Sequence, residues 1–189
     1  MKEYIENITG HLNPENWILL DEIMYEIDVP KGQIIQEDNK ICKNIWYLKE
    51  GAARTFEYKE GEEHTTNFFI APSVFTIFHS LITKSPSELL IRSEENCILN
   101  VLPYEKLTSL YEKSHQIEHI GRIMAELEFV AEFNRRRMLL KMDALQRYEY
   151  LERNSPEVFQ RYQLKDIATY LGITPVSLSR LRKSRFSGN

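Results

Sequence analysis

The sequence has few cysteines, glycines and prolines, and it has no long apolar run. Only 2 of its 189 residues are cysteines, Cys42 and Cys97, too few for a disulfide framework, a four-cysteine zinc site or an iron–sulfur cluster. The 7 glycines and 7 prolines exclude a collagen-like or low-complexity chain. No segment approaches the roughly 20 apolar residues of a membrane span, so no membrane partner is expected. The N-terminus lacks the basic and apolar regions of a secretory signal, which predicts a cytoplasmic protein.

The charges of the chain are unevenly distributed. The formal net charge is −4, yet residues 161–189 contain six basic residues and one acidic residue. This segment therefore carries +5 and the remainder of the chain −9. An acidic body with a basic C-terminal segment predicts that only this segment approaches a polyanion.

Two patterns divide the N-terminal part of the chain. Residues up to 30 are predicted to be helical, because Asn13-Pro14-Glu15 offers an N-cap, a proline at the first helical position and an acidic first turn. Pro30-Lys31-Gly32 ends this pattern. Strands are then predicted at 33–36, 44–48, 52–58, 64–70, 89–92 and 97–102, with a helical turn allowed within 75–81. Closely spaced short strands are typical of an antiparallel barrel or jelly roll.

A long helix is predicted over residues 114–142, with Ser114 as its N-cap and a short helix before it at 104–111. A heptad seam follows the long helix for three heptads and predicts a dimerisation interface. Its members are Ile117, Ile120, Met124, Leu127, Ala131, Asn134 and Met138. Asn134 is the polar residue that would set the register of a two-stranded seam.

The same helix has a second apolar stripe, formed by Ile123, Val130 and Phe133. One stripe can cover the barrel while the other contacts a partner helix, or both can be core of a single protomer. Gly121 lowers helix propensity by about 1 kcal/mol relative to alanine, which is tolerable if another group packs closely against it. The sequence leaves the choice between the two stripes open.

Residues 164–183 contain the most specific pattern, a helix-turn-helix. Gly172 lies at the predicted turn, Thr174 is the predicted N-cap of the second helix, and Pro175 occupies its first turn. Apolar or small residues stand where the two short helices must pack: Ile167, Ala168, Leu171, Ile173, Leu178 and Leu181. A further helix is predicted at 143–152, and a short one restarts at 154–157.

The second helix of this motif is predicted to contact DNA. Its N-terminus and hydroxyl groups suit phosphate, and Arg180 can donate two hydrogen bonds to a guanine edge. Arg182, Lys183 and Arg185 would contact the DNA backbone. The predicted DNA-binding residues are Thr174, Pro175, Val176, Ser177, Ser179, Arg180, Arg182 and Lys183. The alternative interpretation is a purely structural helix pair with a solvated basic terminus.

The order of these elements resembles the Crp/Fnr superfamily of bacterial transcription regulators, related to the cyclic-AMP receptor protein. The segments that carry the resemblance are 29–32 (VPKG), 47–51 (YLKEG), 97–107 (CILNVLPYEKL) and 166–180 (DIATYLGITPVSLSR), so it covers nearly the whole chain. It implies an α+β fold with a double-stranded β-helix, or jelly roll, as effector domain (residues 1–113), a dimerisation helix (114–142) and a C-terminal helix-turn-helix domain (143–189). It also implies a homodimer that binds double-stranded DNA, has RNA polymerase as a further partner and is not an enzyme.

Two departures from this family matter. Members that bind cyclic nucleotide have a Gly-Glu pair and later an Arg followed by Ser or Thr, whereas the matching positions here are Ile77-Phe78 and Ser87-Glu88. The phosphate-binding arginine is therefore missing, and we expect a degenerate ligand pocket that does not bind cyclic AMP in the usual way. Arg92-Ser93 has the residue types of this pair, but it lies five residues further on and in a predicted strand rather than in the binding loop. The effector is expected to be an unidentified small molecule.

The second departure concerns the C-terminal segment. Residues 184–189 are too few for the β-wing that usually follows the recognition helix. Pro175 and Val176 also replace a polar Arg-Glu pair of the family, so the familiar operator is not expected.

Other functions have weaker support in the sequence. A jelly roll also serves cupin enzymes, whose metal ligands are two histidines and a glutamate, but residues 61–64 offer only His64. A cupin-like small-molecule-binding or metal-dependent enzyme is the alternative function, and a sensor that acts through protein partners alone is a third. His115 and His119 have the spacing of a helical metal site without an evident third ligand, so no metal or cofactor is expected.

Residues 135–137 form a run of three arginines on the long helix. They are predicted to be solvated and paired with Glu126, Glu128 or Glu132, with a second anion contact as the alternative.

Overall fold

The computed structural model describes residues 1–186, with side chains described up to Lys183. In chain order the elements of this part are α1 (Lys2–Thr9), α2 (Pro14–Ile23), β1 (Tyr25–Val29), β2 (Ile34–Gln36), β3 (Asn44–Glu50), β4 (Ala52–Lys59), β5 (Glu62–Ile70), β6 (Ser73–Phe75), α3 (Phe78–Thr83), β7 (Leu90–Ser93), β8 (Cys97–Pro103), α4 (Tyr104–Tyr111), α5 (His115–Lys141), α6 (Ala144–Asn154), α7 (Val158–Arg161), α8 (Leu164–Tyr170) and α9 (Pro175–Phe186).

The strands form two four-stranded antiparallel sheets. The first sheet has the order β1-β8-β3-β6 and the second sheet the order β2-β7-β4-β5. Neighbouring strands are mostly distant in sequence, for example β1 beside β8 and β2 beside β7. This arrangement confirms the predicted α+β class with an antiparallel roll.

Large apolar side chains fill the space between the two sheets. Trp46 and Phe75 of the first sheet stack at 5.7 Å between ring centroids, and Phe75 stacks on Phe69 of the second sheet at 4.6 Å. Leu48 and Ile91 are fully buried in the same cluster. The interior of the roll is therefore a packed core.

Helices cover the outer faces of both sheets. On the first sheet, α1, α4 and the first half of α5 share a core with Ile45 and Leu102. On the second sheet, residues of α6 to α9 share a core with Ala52, Phe68 and Ile70. Each sheet thus buries apolar side chains on both faces.

The predicted helix at the N-terminus is wrong for residues 25–29. Tyr25, Ile27 and Val29 alternate with Glu26 and Asp28 and form β1, which pairs with β8 in the register Tyr25–Val101 to Val29–Cys97. The alternation has the period of a strand, and pairing with β8 satisfies the backbone groups that a helix would otherwise satisfy. The six predicted strands are confirmed with small shifts of their ends. The helical turn allowed within 75–81 is α3, whereas Phe75 ends β6, a strand that was not predicted.

The predicted cap at Ser114 and the close contact at Gly121 are confirmed, whereas the side chain of Asn13, at the N-cap position of α2, makes no capping hydrogen bond. The Ser114 hydroxyl accepts a hydrogen bond from Ile117 N at 3.2 Å, and α5 runs from His115 to Lys141. A side chain at position 121 would collide with the phenol of Tyr111, which lies directly against the glycine. Close packing therefore explains a glycine inside a helix.

Among the described residues, no helix combines the length and the apolar character needed to cross a bilayer.

Candidate functional site

The helices α8 and α9 pack as the predicted pair. Ile167, Ala168, Leu171 and Leu178 are all 0% exposed and form the contact between the two helices and the neighbouring elements. Gly172 has φ +67 at the turn, a conformation that glycine adopts without strain. The apolar residues predicted to pack the two helices together therefore form a buried core beneath α9.

The N-terminus of α9 is capped as predicted. The Thr174 hydroxyl accepts a hydrogen bond from Ser177 N at 3.1 Å, and the Thr174 and Ser177 hydroxyls lie 2.9 Å apart. Six of the eight predicted DNA-contacting residues are exposed and two are half-buried. The exposed residues are Thr174, Pro175, Val176, Ser179, Arg180 and Lys183, and the half-buried residues are Ser177 and Arg182. The side chain of Arg185 and residues 187–189, the end of the segment expected to be too short for a wing, lie outside the described part of the chain.

Hydrogen bonds and aromatic contacts hold α7 and α8 on the second sheet. The Tyr162 hydroxyl lies 2.8 Å from the carbonyl oxygen of Ala53 and 2.7 Å from that of Phe69. The hydroxyl of Thr169 accepts a hydrogen bond from Thr65 N at 3.1 Å. Burial raises the pKa of Tyr162, so its hydroxyl stays protonated and donates to the sheet. The helix pair α8–α9 is thereby bonded to the strands β4 and β5.

A buried arginine lies at this contact. Arg54 of β4 is 0% exposed, donates from Nε to Glu94 at 2.7 Å and from an Nη to the Thr65 hydroxyl at 3.1 Å, and also pairs with Glu63. Asp166 of α8 approaches its guanidinium to 3.4 Å. Burial raises the pKa of Asp166, and the positive charge of Arg54 opposes that shift. This cluster joins the second sheet to α8 through charge as well as packing.

Arg92 belongs to the same cluster. It lies directly across from Arg54 on β7, and its guanidinium donates two hydrogen bonds to the Glu63 carboxylate at 2.7 and 2.8 Å. Both arginines stack on the ring of Phe56, at 4.5 and 4.9 Å from its centroid. The residue that imitates a phosphate-binding arginine is thus on a strand, as predicted, and is bound to Glu63.

Sequence reasoning missed the Arg54 cluster. Its acidic members, Glu63, Glu94 and Asp166, lie between 9 and 112 positions from Arg54 in the chain, so no local spacing reveals them. The available signal was a charged residue beside Ala52, Ala53 and Phe56 in the first half of a predicted strand. Arg161, which contributes to the basic charge of the C-terminal segment, also pairs within the protomer, donating to Glu95 at 2.8 Å.

The four positions of the predicted degenerate pocket carry no cationic side chain. Ile77 is buried at the start of α3, and Phe78 is 40% exposed. The Ser87 hydroxyl is buried and donates to the carbonyl oxygen of Leu89 at 2.9 Å, while Glu88 is exposed. None of the four can neutralise an anion, and the aromatic stack fills the interior of the roll beside them.

The structure separates the predicted dimerisation residues into two groups. Ile117, Ile120 and Met138 are 1%, 8% and 2% exposed within one protomer, and Met124 packs half-buried against the same core as Ile117 and Ile120. These side chains are occupied inside the protomer, which corrects their assignment to a seam with a partner. The remaining predicted seam residues, Leu127, Ala131 and Asn134, are exposed.

Another face of α5 carries the most exposed apolar side chains. Phe129, Val130, Phe133 and Leu140 are 73%, 52%, 58% and 72% exposed. Val130 and Phe133 belong to the second stripe of the sequence pattern, whose third member, Ile123, is half-buried. We call Phe129, Val130, Phe133 and Leu140 the exposed stripe.

Arg135 has another partner than predicted, whereas Arg136 and Arg137 are exposed, and the two histidines of α5 contact neighbouring residues of their own helix. Arg135 lies over the ring of Tyr170, with its guanidinium carbon 4.2 Å from the centroid, so it joins α5 to the end of α8. His115 lies 3.4 Å from Glu118, and His119 is within 2.9 Å of Arg122. Within residues 1–186, no three histidine, cysteine or acidic side chains are grouped as metal ligands.

Comparisons with known proteins agree with this architecture. Residues 26–114 match the sequence profile of the family described as "Cyclic nucleotide-binding domain". FixK2 from Bradyrhizobium japonicum has 17% identity and a TM-score of 0.69, with 87% of this chain and 85% of that chain covered. CLP of Xanthomonas campestris, a regulator responsive to c-di-GMP, has 14% identity and a TM-score of 0.70, with 93% and 92% covered.

A third solved structure is a protein from Eubacterium rectale assigned to the Crp/Fnr family of transcriptional regulators. It has 20% identity and a TM-score of 0.67, with 94% of this chain and 85% of that chain covered. No curated protein matches the sequence. Residues 26–114 are thus similar to the cyclic nucleotide-binding domain, and the chain as a whole shares the fold of these solved structures.

Proposed function

We propose that the protein is a transcription regulator that binds double-stranded DNA in a sequence-specific manner as a homodimer. One observation carries this proposal: α9 presents an exposed, capped N-terminus with hydroxyl and basic side chains above a fully buried helix-pair core. The helix pair is then a DNA-binding helix-turn-helix, with α9 as its recognition helix.

The dimensions of α9 suit the major groove. Its 12 residues span roughly 18 Å, and the B-DNA major groove is about 12 Å wide, which admits an α-helix. The free backbone N–H groups of its first turn attract phosphate. Arg180 lies one to two turns further along, where its exposed guanidinium reaches base edges, and Lys183 extends the positive surface.

Dimerisation through α5 accounts for the exposed stripe. Large exposed apolar residues along one helix mark an interaction surface, and two copies of the same stripe bury each other. One recognition helix reads only a few base pairs, so a two-fold dimer is needed to select an operator from a genome. RNA polymerase would be the further partner of the DNA-bound dimer.

The effector is proposed to be a small molecule other than cyclic AMP. A cyclic phosphate buried in the roll needs a cationic partner, and Ile77, Phe78, Ser87 and Glu88 supply none. Calorimetric titration with cyclic AMP should therefore give no binding heat. Micromolar binding of cyclic AMP or cyclic GMP would overturn this part of the proposal.

Selection of bound DNA from a random duplex pool tests DNA recognition. We expect enrichment of a palindrome with half-sites about one helical turn apart. Affinity for the selected site should fall steeply between about 50 and 200 mM salt, because each phosphate contact releases a counterion. A dimer that enriches no sequence would instead favour a sensor acting through protein partners. A cupin-like enzyme would show neither enrichment nor salt-dependent DNA binding.

A further inference from the structure

A cavity of about 450 Å³ lies between the outer face of the first sheet and α5. Side chains of β3 and β6 form one wall, including Ile45 and Val74, and α3 contributes Leu81 and Ile82. Gly121 and Ala125 are the small residues on the α5 side. The cavity lies mainly on the face of the first sheet opposite the packed interior of the roll, and Phe75 and Leu81 border both.

The walls of this cavity are mainly apolar, and two carboxylates line it: Glu118, which lies 3.4 Å from His115, and Glu128. Glu128 of α5 has no ion pair among the described residues. Arg122 also lines the cavity, but Glu126 and His119 hold its guanidinium. Burial and the neighbouring charge of Glu132 raise the pKa of Glu128, which reflects an acid that lacks a counter-charge.

The amino terminus of Met1 is a second charge near the cavity. Its charged neighbours are Lys49 and Glu3, whereas the charged neighbour of Glu128 is Glu132. The carboxylate of Glu128 is therefore available to a ligand. A partly desolvated carboxylate beside apolar walls favours a cationic group that carries an apolar body.

We propose that this cavity binds a small apolar amine, with its apolar body between the first sheet and α5 and its ammonium group on Glu128. A cavity of about 150 Å³ holds one benzene ring, so a site of this size accepts a two-ring body with a short chain. Such pockets, mostly apolar with a few placed polar groups, are the usual form of small-molecule sites. The proposal rests on the cavity alone and does not depend on DNA binding.

Three matched probes test the ligand class by isothermal titration calorimetry on the full chain: 2-(1-naphthyl)ethylamine, 2-(1-naphthyl)ethanol and 3-(1-naphthyl)propanoic acid. We expect the amine to bind about tenfold more tightly than the alcohol, as one charge-assisted hydrogen bond allows, and the acid to bind most weakly. Equal affinities of the amine and the acid, or no binding of any probe, would overturn the proposal. The titrations contain no DNA, so a negative result would not contradict the proposed DNA-binding function. A DNA selection that enriches no sequence would likewise not contradict the amine site.

Variants locate the site. Glu128→Gln should abolish the preference for the amine over the alcohol while leaving alcohol binding within about twofold. The matched control is Glu132→Gln, which makes the same charge change at an exposed position one turn along α5 and should keep the preference. Loss of the preference in both variants would mean that general surface charge causes it, and the assignment to the cavity would be wrong.

Filling the cavity provides an independent check. Ala125→Leu should weaken all three probes at least about tenfold, because the added carbons occupy the ligand volume. If circular dichroism shows that this variant does not fold, Ile82→Phe fills the cavity from α3, where the side chain is 47% exposed and tolerates substitution. Unchanged affinity in a folded filling variant would place the probes elsewhere and overturn the proposal.

Discussion

Arg54 joins the second sheet to α8 through ion pairs. A fully buried guanidinium is favourable only while its carboxylate partners remain in place, and here Glu63, Glu94 and Asp166 provide them. Arg54→Met should therefore lower the free energy of unfolding by about 3 kcal/mol or more, since it leaves these acids without their central cation. Urea unfolding measures the loss.

Arg92→Met is the matched control for this prediction. Arg92 shares the partner Glu63, but its side chain is 22% exposed and can exchange its ion pairs for water. Its loss should cost about 1 kcal/mol. Equal losses in the two variants would contradict the central position given to Arg54.

Glu63 should make the stability of the protein depend on pH. Burial raises the pKa of Glu63, but hydrogen bonds from Arg92 and Arg54 outweigh it and lower the pKa from 4.5 to about 2. The folded state thus binds fewer protons than the unfolded state between these values. The stabilisation by ionised Glu63 is complete above about pH 4.5 and is lost as the pH falls toward 2.

This dependence is measurable against Glu63→Gln. Urea unfolding at pH 7 should show wild type more stable than the variant, and the difference should shrink at pH 3. A difference that is constant over this range would contradict the lowered pKa.

Arg180 is the residue that should specify sequence. Arg180→Ala is expected to cost about 1–3 kcal/mol at the selected operator and to relax the preference at one base pair. Lys183→Ala is the control, since a phosphate contact weakens binding to all sequences alike. Anisotropy titrations on the operator and on single-base variants distinguish the two effects. Unchanged affinity and preference in Arg180→Ala would defeat the assignment.

The helix α5 shows why an apolar period alone does not assign an interface. Its sequence predicts the length, the cap and two apolar stripes, and the structure confirms the first two. The stripe with the better heptad spacing begins with Ile117 and Ile120, which cover the protomer's own core, while Phe129 and Phe133 are left exposed. Both stripes satisfy the same periodicity, so only the three-dimensional position of the roll decides which of their residues are buried.

The exposed stripe gives a direct prediction for assembly. Phe133→Asp should weaken the homodimer at least about 100-fold, because it places a charge in an apolar contact. Asn134→Asp is the matched control; it adds the same charge at the next position, on the seam of the heptad pattern, and should leave the dimer largely intact. Light scattering after size exclusion at several concentrations gives both constants. The reverse result would show that the heptad seam forms the interface.

The strands show a second limit of prediction from sequence. Most were predictable from β-branched and aromatic segments between turns, but β1 was assigned to a helix because it follows an apolar helix without a strong breaker. The alternation of Tyr25, Ile27 and Val29 with two acids was the available signal. Its partner, β8, lies more than 60 residues away, and local sequence does not report such pairing.

At the scale of the molecule, the order of roll, long helix and helix pair was predictable because each part has its own local pattern. The packing of α8 on the second sheet was not. It depends on Thr65, Tyr162 and the Arg54 cluster, whose partners come from separate parts of the chain. The hydroxyl and basic residues of α9 were found from sequence, since capping and exposure follow local rules.

The second sheet forms one side of the roll and also packs against α8, so a movement of the roll is transmitted to this helix. A displacement of β4 or β5 would move α8, since the Thr65 N–H donates to Thr169 and Arg54 pairs with Asp166 of that helix. In a dimer, the distance between the two reading helices would then be governed by the angle at which the paired α5 helices cross. A molecule that widens this angle by a few degrees would move the two DNA contacts out of phase with the turn of the double helix.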